Sequence, residues 1–442
     1  MNIILLSGGS GKRLWPLSND IRSKQFIKMF RNEDNEYESM VQRVYKQIKS
    51  VDYDANITIA TSRKQVSTIN NQLGDRVAIC IEPARRDTFP AIALAAAFLN
   101  SEKNIDEDDT VIVCPVDPYV GDEYFEALKE LFELTETGKY NLNLMGVEPT
   151  YPSEKYGYII PNTKEHISSV KEFKEKPSAE TAEDYIKQGA LWNCGVFAFR
   201  LGYLLDIAHN YIDFENYLDI YNSYETLQKI SFDYAVVEKE DSIGCIRFAG
   251  EWKDIGSWNT FAEEMSDPII GDVQLNKTCL NTNVINELNI PILCMGTKDM
   301  IIAASSDGIL IADKEQSSYI KPYVDAMNKE AMYAEKSWGS YNVIDISNSS
   351  MVIKVTLMPG HKMRYHSHNH RDEIWNIVAG KGTTIIDGIK QEVKPGDVIT
   401  MAAGCKHTII ADTELTVIEV QMGDDISVDD KIIYELQAEL TK

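Results

Sequence analysis

Three glycines and two cations follow the first apolar run of the chain. In NIILLSGGSGKRLWPLS, residues 2–18, Gly8, Gly9 and Gly11 let backbone N–H groups approach phosphate oxygens, because glycine has no Cβ to block the way. Lys12 and Arg13 add charge that offsets phosphate. The spacing matches neither the P-loop nor the dinucleotide G-x-G-x-x-G. Taken alone, the stretch reads as a tight connection or as a phosphate cradle. A further cation, Lys24 in RSKQF, favours the cradle. Two acids stand far off in the sequence: Asp117 follows the buried run TVIVCPV, and Asp254 sits in the short polar turn of EWKDIGSW. Each alone reads first as a turn or cap residue. As a pair they suit Mg2+, which keeps several waters and bridges substrate phosphates.

A second cluster is HSHNHRDE, residues 366–373. Gly360, His366, His368, Glu373 and Gly380 follow the spacing G-x5-H-x-H-x4-E-x6-G. Histidines at i and i+2 share one face of a strand. A hairpin partner adds Glu373 and a distant strand adds His407, giving three imidazoles and one carboxylate. That donor set suits Zn2+, Mn2+, Fe2+, Co2+ or Ni2+, and ligand type alone does not choose among them. A lone histidine is usually a satisfied core or surface residue. Here four of the chain's seven histidines stand in or beside one pattern.

The elements that must position these residues follow from periodicity. NIILLS (2–7), NITIAT (56–61), RVAICIE (76–82), DTVIVCPVD (109–117) and NLNLMGVEP (141–149) read as buried strands. ESMVQRVYKQI, AIALAAAFL and YFEALKELFEL between them carry apolar residues at helical spacing. The alternation predicts an α/β fold, a Rossmann-like doubly wound mixed sheet that is largely parallel, with ligands beyond the carboxyl ends of its strands. From about residue 268 short β-rich pieces are separated by Asn, Asp and Gly, which predicts a small β-helix-like connector with a short helix around 318–328. Residues 338–422 read as all-β, broken by PG, GKG, DG and PGD turns. The tail DDKIIYELQAELTK reads as a short amphipathic helix. The expected domains are 1–267, 268–334 and 335–442.

Composition narrows the partners. Among 442 residues, 44 basic side chains face 68 acidic ones, for a net charge of −24. Such a surface repels nucleic acid and anionic membrane, so neither is expected, and phosphate binding requires locally concentrated cations. The seven cysteines form no C-x-x-C pair, which suits free thiols in a reducing cytoplasm. No cationic apolar leader and no membrane-length apolar run is visible, so a cytoplasmic protein is expected.

The motifs, taken in order, resemble one family. GGSGKRLWPLS…SKQF, EPARRDTFPAIALAA (82–96), PVD (115–117), YGYI (156–159), FKEKP (173–177), WNCGVF (192–197), SFDYAVVEK (231–239) and WKDIGSW (252–258) resemble the sugar-1-phosphate nucleotidylyltransferases. They most closely resemble the long mannose-1-phosphate guanylyltransferases that carry a fused cupin. The resemblance implies attack by a sugar-phosphate oxygen on the α-phosphorus of a nucleoside triphosphate, with loss of pyrophosphate. It places Arg13 and Lys24 on phosphate, and Asp117 and Asp254 on Mg2+. It places Gly8, Gly9, Gly11, Lys12, Glu82, Arg86, Asp87 and Thr88 on the nucleotide, and Gly157, Glu175, Lys176 and Asn193 on the sugar phosphate. GTP and mannose-1-phosphate are the expected substrates, with another triphosphate such as CTP, or another sugar-1-phosphate such as a heptose, as the alternative. A homodimer is also expected.

Ser23 departs from the family's usual proline, and Pro118 from its usual histidine. The 366–407 pattern resembles the cupin motifs, with His366, His368, Glu373 and His407 as ligands and Ala402 and Ala411 as departures. In this family the cupin resembles type II mannose-6-phosphate isomerase, implying an isomerase or a sugar-phosphate-binding or regulatory module. His366 stands where that isomerase usually has glutamine, and its usual terminal Tyr-Gly-Arg is missing. Lys362, His370 and Arg371 are further polar candidates there.

Overall fold

The computed structural model describes residues 1–9, 11–327, 331–424, 426 and 430–435. Two compact units emerge, one of residues 1–10 and 23–267, the other of residues 11–22 and 268–442.

The N-terminal unit is built on nine strands. Ala78–Glu82, Asn56–Ser62, Asn2–Leu6 and Thr110–Pro115 run parallel and adjacent in that order. Leu191–Arg200 then joins antiparallel, followed by Leu142–Val147, Ile243–Phe248, Ile167–Lys174 and Tyr158–Pro161. The mixed α/β sheet follows from its strands, near-continuous Val/Ile/Leu runs of the kind that sheets covered on both faces require. Helix Thr88–Lys103 is apolar nearly all round, and its Phe89, Ile92, Ala93, Leu94 and the alanines 95–97 lie in the same core as Ile4, Val111 and Leu144. Met40–Val51 is amphipathic and opens with a capping box, Ser39 and Gln42 satisfying each other's backbone donors.

The C-terminal unit begins with short coiled strands. Ile269–Ile270, Asn283–Asn286 and Met300–Ser305 pair in parallel, as do Val273–Leu275 and Ile292–Cys294 on a second small sheet. Val284, Cys294 and Ile302 form the core between them. A 3-10 turn, Gln316–Tyr319, and a short helix, Lys321–Met327, follow.

Next comes a double-sheet barrel. One sheet has six strands, ordered Tyr333–Lys336, Gly339–Ile346, Ser350–Leu357, Leu415–Gly423, Arg371–Ala379 and Val398–Met401. The other has five, ordered Ile389–Val393, Gly382–Ile386, His407–Ala411, His366–Ser367 and Ile432–Ile433. Val355, Leu357, Trp375, Ile377, Ile409 and Val417 fill the space within.

The expected tail helix is corrected in part. Ile432–Ile433 is a strand on the edge beside His366–Ser367, because that open edge, distant in sequence, offers its backbone a ladder to join. The rest of the tail, 436–442, lies outside the described residues.

Candidate active site and metal centre

Lys24 is placed by a short 3-10 turn, Lys24–Phe26, that follows Ser23. A buried polar net lies behind that turn. Gln65 donates to the Ser23 hydroxyl at 2.6 Å, Thr61 donates to Gln65 at 2.7 Å, and Gln25 donates to Ser7 at 2.9 Å. The departure at Ser23 therefore supplies a hydroxyl acceptor that proline lacks. In front, the Lys24 ammonium lies 2.8 Å from Asp117 Oδ2 and 3.7 Å from Asp254 Oδ1, and it donates to the Ile255 carbonyl at 2.7 Å.

Strands bring those two acids together. Pro118–Val120 and Trp252–Asp254 pair antiparallel, with Asp254 in register with Pro118. Asp254 is thus a strand end rather than a turn residue, because the ladder to 118–120 extends the backbone through it. The other departure, Pro118, is the first residue of its strand, where a missing N–H is tolerated. Both carboxylates lie within 4 Å of one nitrogen, so this donor pair fits a single shared cation such as Mg2+.

The sugar-side residues also converge. Asn193 donates its backbone N–H to the Gly157 carbonyl at 2.8 Å and its side-chain amide to Asp233 Oδ1 at 2.7 Å. Glu175 is buried and ion-paired with Lys176. A Cβ on Gly157 would meet Glu175 Oε2 at 2.6 Å, so glycine there keeps the carboxylate in place. Sequence patterning does not single out Asp233. Burial, then the charge of Glu175, pushes its carboxyl up to about 7. The available signal is an acid in the first turn after the helix cap Ser231 in SFDYAVVEK.

Other expected nucleotide residues are engaged locally. Glu82 accepts from the Tyr224 hydroxyl at 3.1 Å, and burial raises its carboxyl. Arg86 donates to the Glu225 carbonyl, Asp87 caps helix Thr88–Lys103, and the Thr88 hydroxyl accepts from the Phe232 N–H at 2.8 Å. Gly9 accepts from Arg85 at 3.1 Å, whereas a Cβ on Gly8 would meet nothing within 4 Å among the described residues.

Gly11, Lys12 and Arg13 belong to the segment 11–22 that groups with the C-terminal unit. Gly11 has φ +64°, and a Cβ there would meet the Asn19 carbonyl oxygen at 2.1 Å. Lys12 pairs with Asp325 at 2.9 Å, and Arg13 is exposed.

In the barrel, one nitrogen from each of His366, His368 and His407 lies within 4.8 Å of the others, all three residues being buried. Glu373 Oε1 is 3.1 Å from His368 Nε2, and its Oε2 is 3.3 Å from His407 Nε2. Glu373 comes from the opposite sheet, in Arg371–Ala379, and not from a hairpin partner of the histidine strand. The chain crosses between sheets within the three residues after His368, which alternation along a strand cannot reveal.

Backbone carbonyls fix the imidazoles. The carbonyl of Arg364 takes His366 Nδ1 at 2.6 Å, that of Cys405 takes His407 Nδ1 at 3.0 Å, and that of Asp430 takes His368 Nδ1. A carbonyl on each Nδ1 turns Nε2 toward the interior, where that of His368 lies 3.1 Å from Arg371 Nη2. His407 Nε2 is buried and makes no aligned hydrogen bond among the described residues. Burial, with nearby cationic groups, pushes His366 down to about 2, keeping it neutral as a ligand must be. Burial alone would raise Glu373, but the contacts from His368 and His407 hold it low. Three converging imidazole nitrogens and an ionised carboxylate fit a divalent transition metal. Beside them, Arg371 donates to Glu373 at 3.1 Å, and buried Glu419 is pushed up to about 8 by burial and by Glu373.

Comparison with known proteins agrees with this division. Residues 2–268 match the family model Nucleotidyl transferase, and residues 325–436 match Mannose-6-phosphate isomerase C-terminal. The chain is 28% identical over 478 residues to the mannose-1-phosphate guanylyltransferase of Escherichia coli (strain K12), covering 98% of this chain and 97% of that one. It is equally similar, 28% over 478 residues with 98% and 97% coverage, to the xanthan biosynthesis protein XanB of Xanthomonas campestris pv. campestris (strain B100). A solved structure from Thermus thermophilus, described as a mannose-1-phosphate geranyltransferase, superposes with a TM-score of 0.60 at 26% identity, covering 74% of this chain and 99% of that one. Among the described residues no helix is long and apolar enough to cross a membrane.

Proposed function

Because the chain belongs to the nucleotidyl transferase family, we propose that it transfers a guanylyl group from GTP to mannose-1-phosphate, giving GDP-mannose and pyrophosphate. One observation carries the chemistry: the Lys24 ammonium held against the carboxylates of Asp117 and Asp254. The substrate pair follows the relatives that span the chain.

A phosphate oxygen of the sugar attacks the α-phosphorus of the triphosphate. The bond to the β-phosphate breaks, and pyrophosphate leaves with the electron pair. The protein does no covalent work; it aligns two polyanions and offsets charge gathering at phosphorus. Lys24 sits where the two substrates meet, and Arg13 meets the departing phosphates. The loop of Gly8, Gly9, Gly11 and Lys12 and the segment of Glu82, Arg86, Asp87 and Thr88 hold the nucleotide. Lys176 neutralises the sugar phosphate, while Glu175 and Asn193, with Gly157 leaving them room, bind hydroxyls. Asp117 and Asp254 would hold Mg2+, which supplies charge neutralisation on the phosphates.

A matrix of nucleoside triphosphates against sugar-1-phosphates, read by pyrophosphate release with Mg2+, tests this. Turnover is expected to be highest with GTP and mannose-1-phosphate. Turnover confined to another pair, such as CTP with a heptose-1-phosphate, would overturn the substrate assignment.

For the barrel, we propose that His366, His368, His407 and Glu373 hold Zn2+, Mn2+, Fe2+, Co2+ or Ni2+. The match of residues 325–436 favours mannose-6-phosphate isomerisation as a second activity. A coupled mannose-6-phosphate assay on metal-loaded protein decides between an isomerase and a sugar-phosphate-binding module. Domains of 1–267, 268–334 and 335–442, a homodimer and a cytoplasmic location complete the proposal.

A further inference from the structure

Away from both clusters, the C-terminal unit carries an open polar cleft of about 340 Å3, within the roughly 300–1,000 Å3 that ligand sites occupy. Its walls come from the segment 11–22, the coiled strands and the sheet strands Gly339–Ile346 and Ser350–Leu357. Two lining side chains keep a buried polar atom with no hydrogen-bond partner among the described residues: the donor Arg22 Nε and the acceptor Asn342 Oδ1. The Arg22 side chain is only 13% exposed, and its other two nitrogens are committed to Glu287 at 2.8 and 2.9 Å.

The chemistry of these two atoms selects a ligand. The dianion of a phosphate monoester only accepts, so it would satisfy Arg22 and not Asn342. Ammonium only donates and would do the reverse. A hydroxyl does both. Charge points the same way: Arg22 and Lys354 are matched by Glu287 and Asp307 around the lining, so no net charge draws an ion. Tyr333 adds an aromatic surface suited to the C–H face of a sugar ring.

We propose that this cleft binds a neutral polyhydroxylated ligand of the glycoside class and that its occupancy regulates nucleotidyl transfer. The link is the chain itself. Asn19 and Arg22 close a segment that begins with Lys12 and Arg13 and continues directly into Ser23 and Lys24. Asn19 donates to the cleft acid Asp307 at 2.7 Å. The binding half is independent of the substrate assignment above; the regulatory half rests on nucleotidyl transfer.

The test uses the full-length protein with methyl α-D-mannopyranoside, methyl α-D-glucopyranoside and methyl α-D-galactopyranoside, and inorganic phosphate as the ionic comparison. Calorimetry and saturation-transfer NMR read binding. At least one hexoside is expected to bind, and Asn342→Leu and the surface variant Lys354→Ala to weaken it by about tenfold or more. Asn193→Ala, on the sugar side of the N-terminal unit, is expected to leave that binding unchanged. Saturating hexoside is expected to shift the KM for the nucleoside triphosphate by about fivefold. No hexoside binding, binding of phosphate instead, or binding that survives both cleft variants overturns the site. An unchanged KM at saturation overturns the regulation.

Discussion

Lys24 occupies the point where carboxylates from two distant parts of the chain meet, and its ammonium contacts both. Lys24→Ala is expected to lower kcat for pyrophosphate release by about 100-fold or more, the scale for losing one aligned charge at a developing anion; wild-type turnover would remove Lys24 from the site. Asp233 predicts a pH effect. Its folded carboxyl is raised to about 7 by burial and Glu175, above the roughly 3.9 of an unfolded aspartate. The folded state therefore holds the extra proton, and the stability this contributes is full below the unfolded value and lost as pH rises through about 7. Thermal melts of wild type should fall from pH 5 to pH 8 more steeply than those of Asp233→Asn, and parallel slopes would refute this. Lys24, Asp117 and Asp254 were legible as charges in recognisable surroundings. Asp233 was not, because an acid in the first turn of a helix is also what the helix dipole favours. Only the sheet brings it to Asn193.

Short elements decide whether those residues meet. Ser23→Ala leaves the buried Gln65 amide without its acceptor, a loss of about 1–3 kcal/mol, measurable by denaturant unfolding. Gly11 and Gly8, alike in sequence, separate here. Gly11→Ala forces a Cβ against the Asn19 carbonyl at positive φ, and is expected to lower both Tm and activity. Gly8→Ala meets nothing within 4 Å among the described residues, and is expected to raise the KM for the triphosphate with Tm unchanged. Equal melting temperatures for the two variants would contradict this. The buried strands and long helices were legible because their periods are local. The crossing of Glu373 to the opposite sheet and the strand Ile432–Ile433 were not, since both are fixed by partners distant in sequence.

For the whole molecule, the two clusters predict separable metal dependence. Chelation should stop transfer and, by removing a ligand that stabilises the fold, lower the melting transition of the barrel-containing unit. Mg2+ alone should restore transfer, and a transition metal the melting temperature. Restoration of both by Mg2+ alone would count against a distinct barrel metal. The grouping of residues 11–22 with the C-terminal unit also sets a schedule for synthesis. Pro16 accepts from Ser305, Gly308 packs on the Trp15 ring, and Arg22 pairs with Glu287, 265 residues later in the chain. At roughly 5–20 residues per second, the ribosome delivers Glu287 some ten to fifty seconds after Arg22. Throughout that interval segment 11–22 lacks those partners, so if the proposed loop holds the nucleotide, affinity for it should arrive late in translation, only after the coiled strands have emerged.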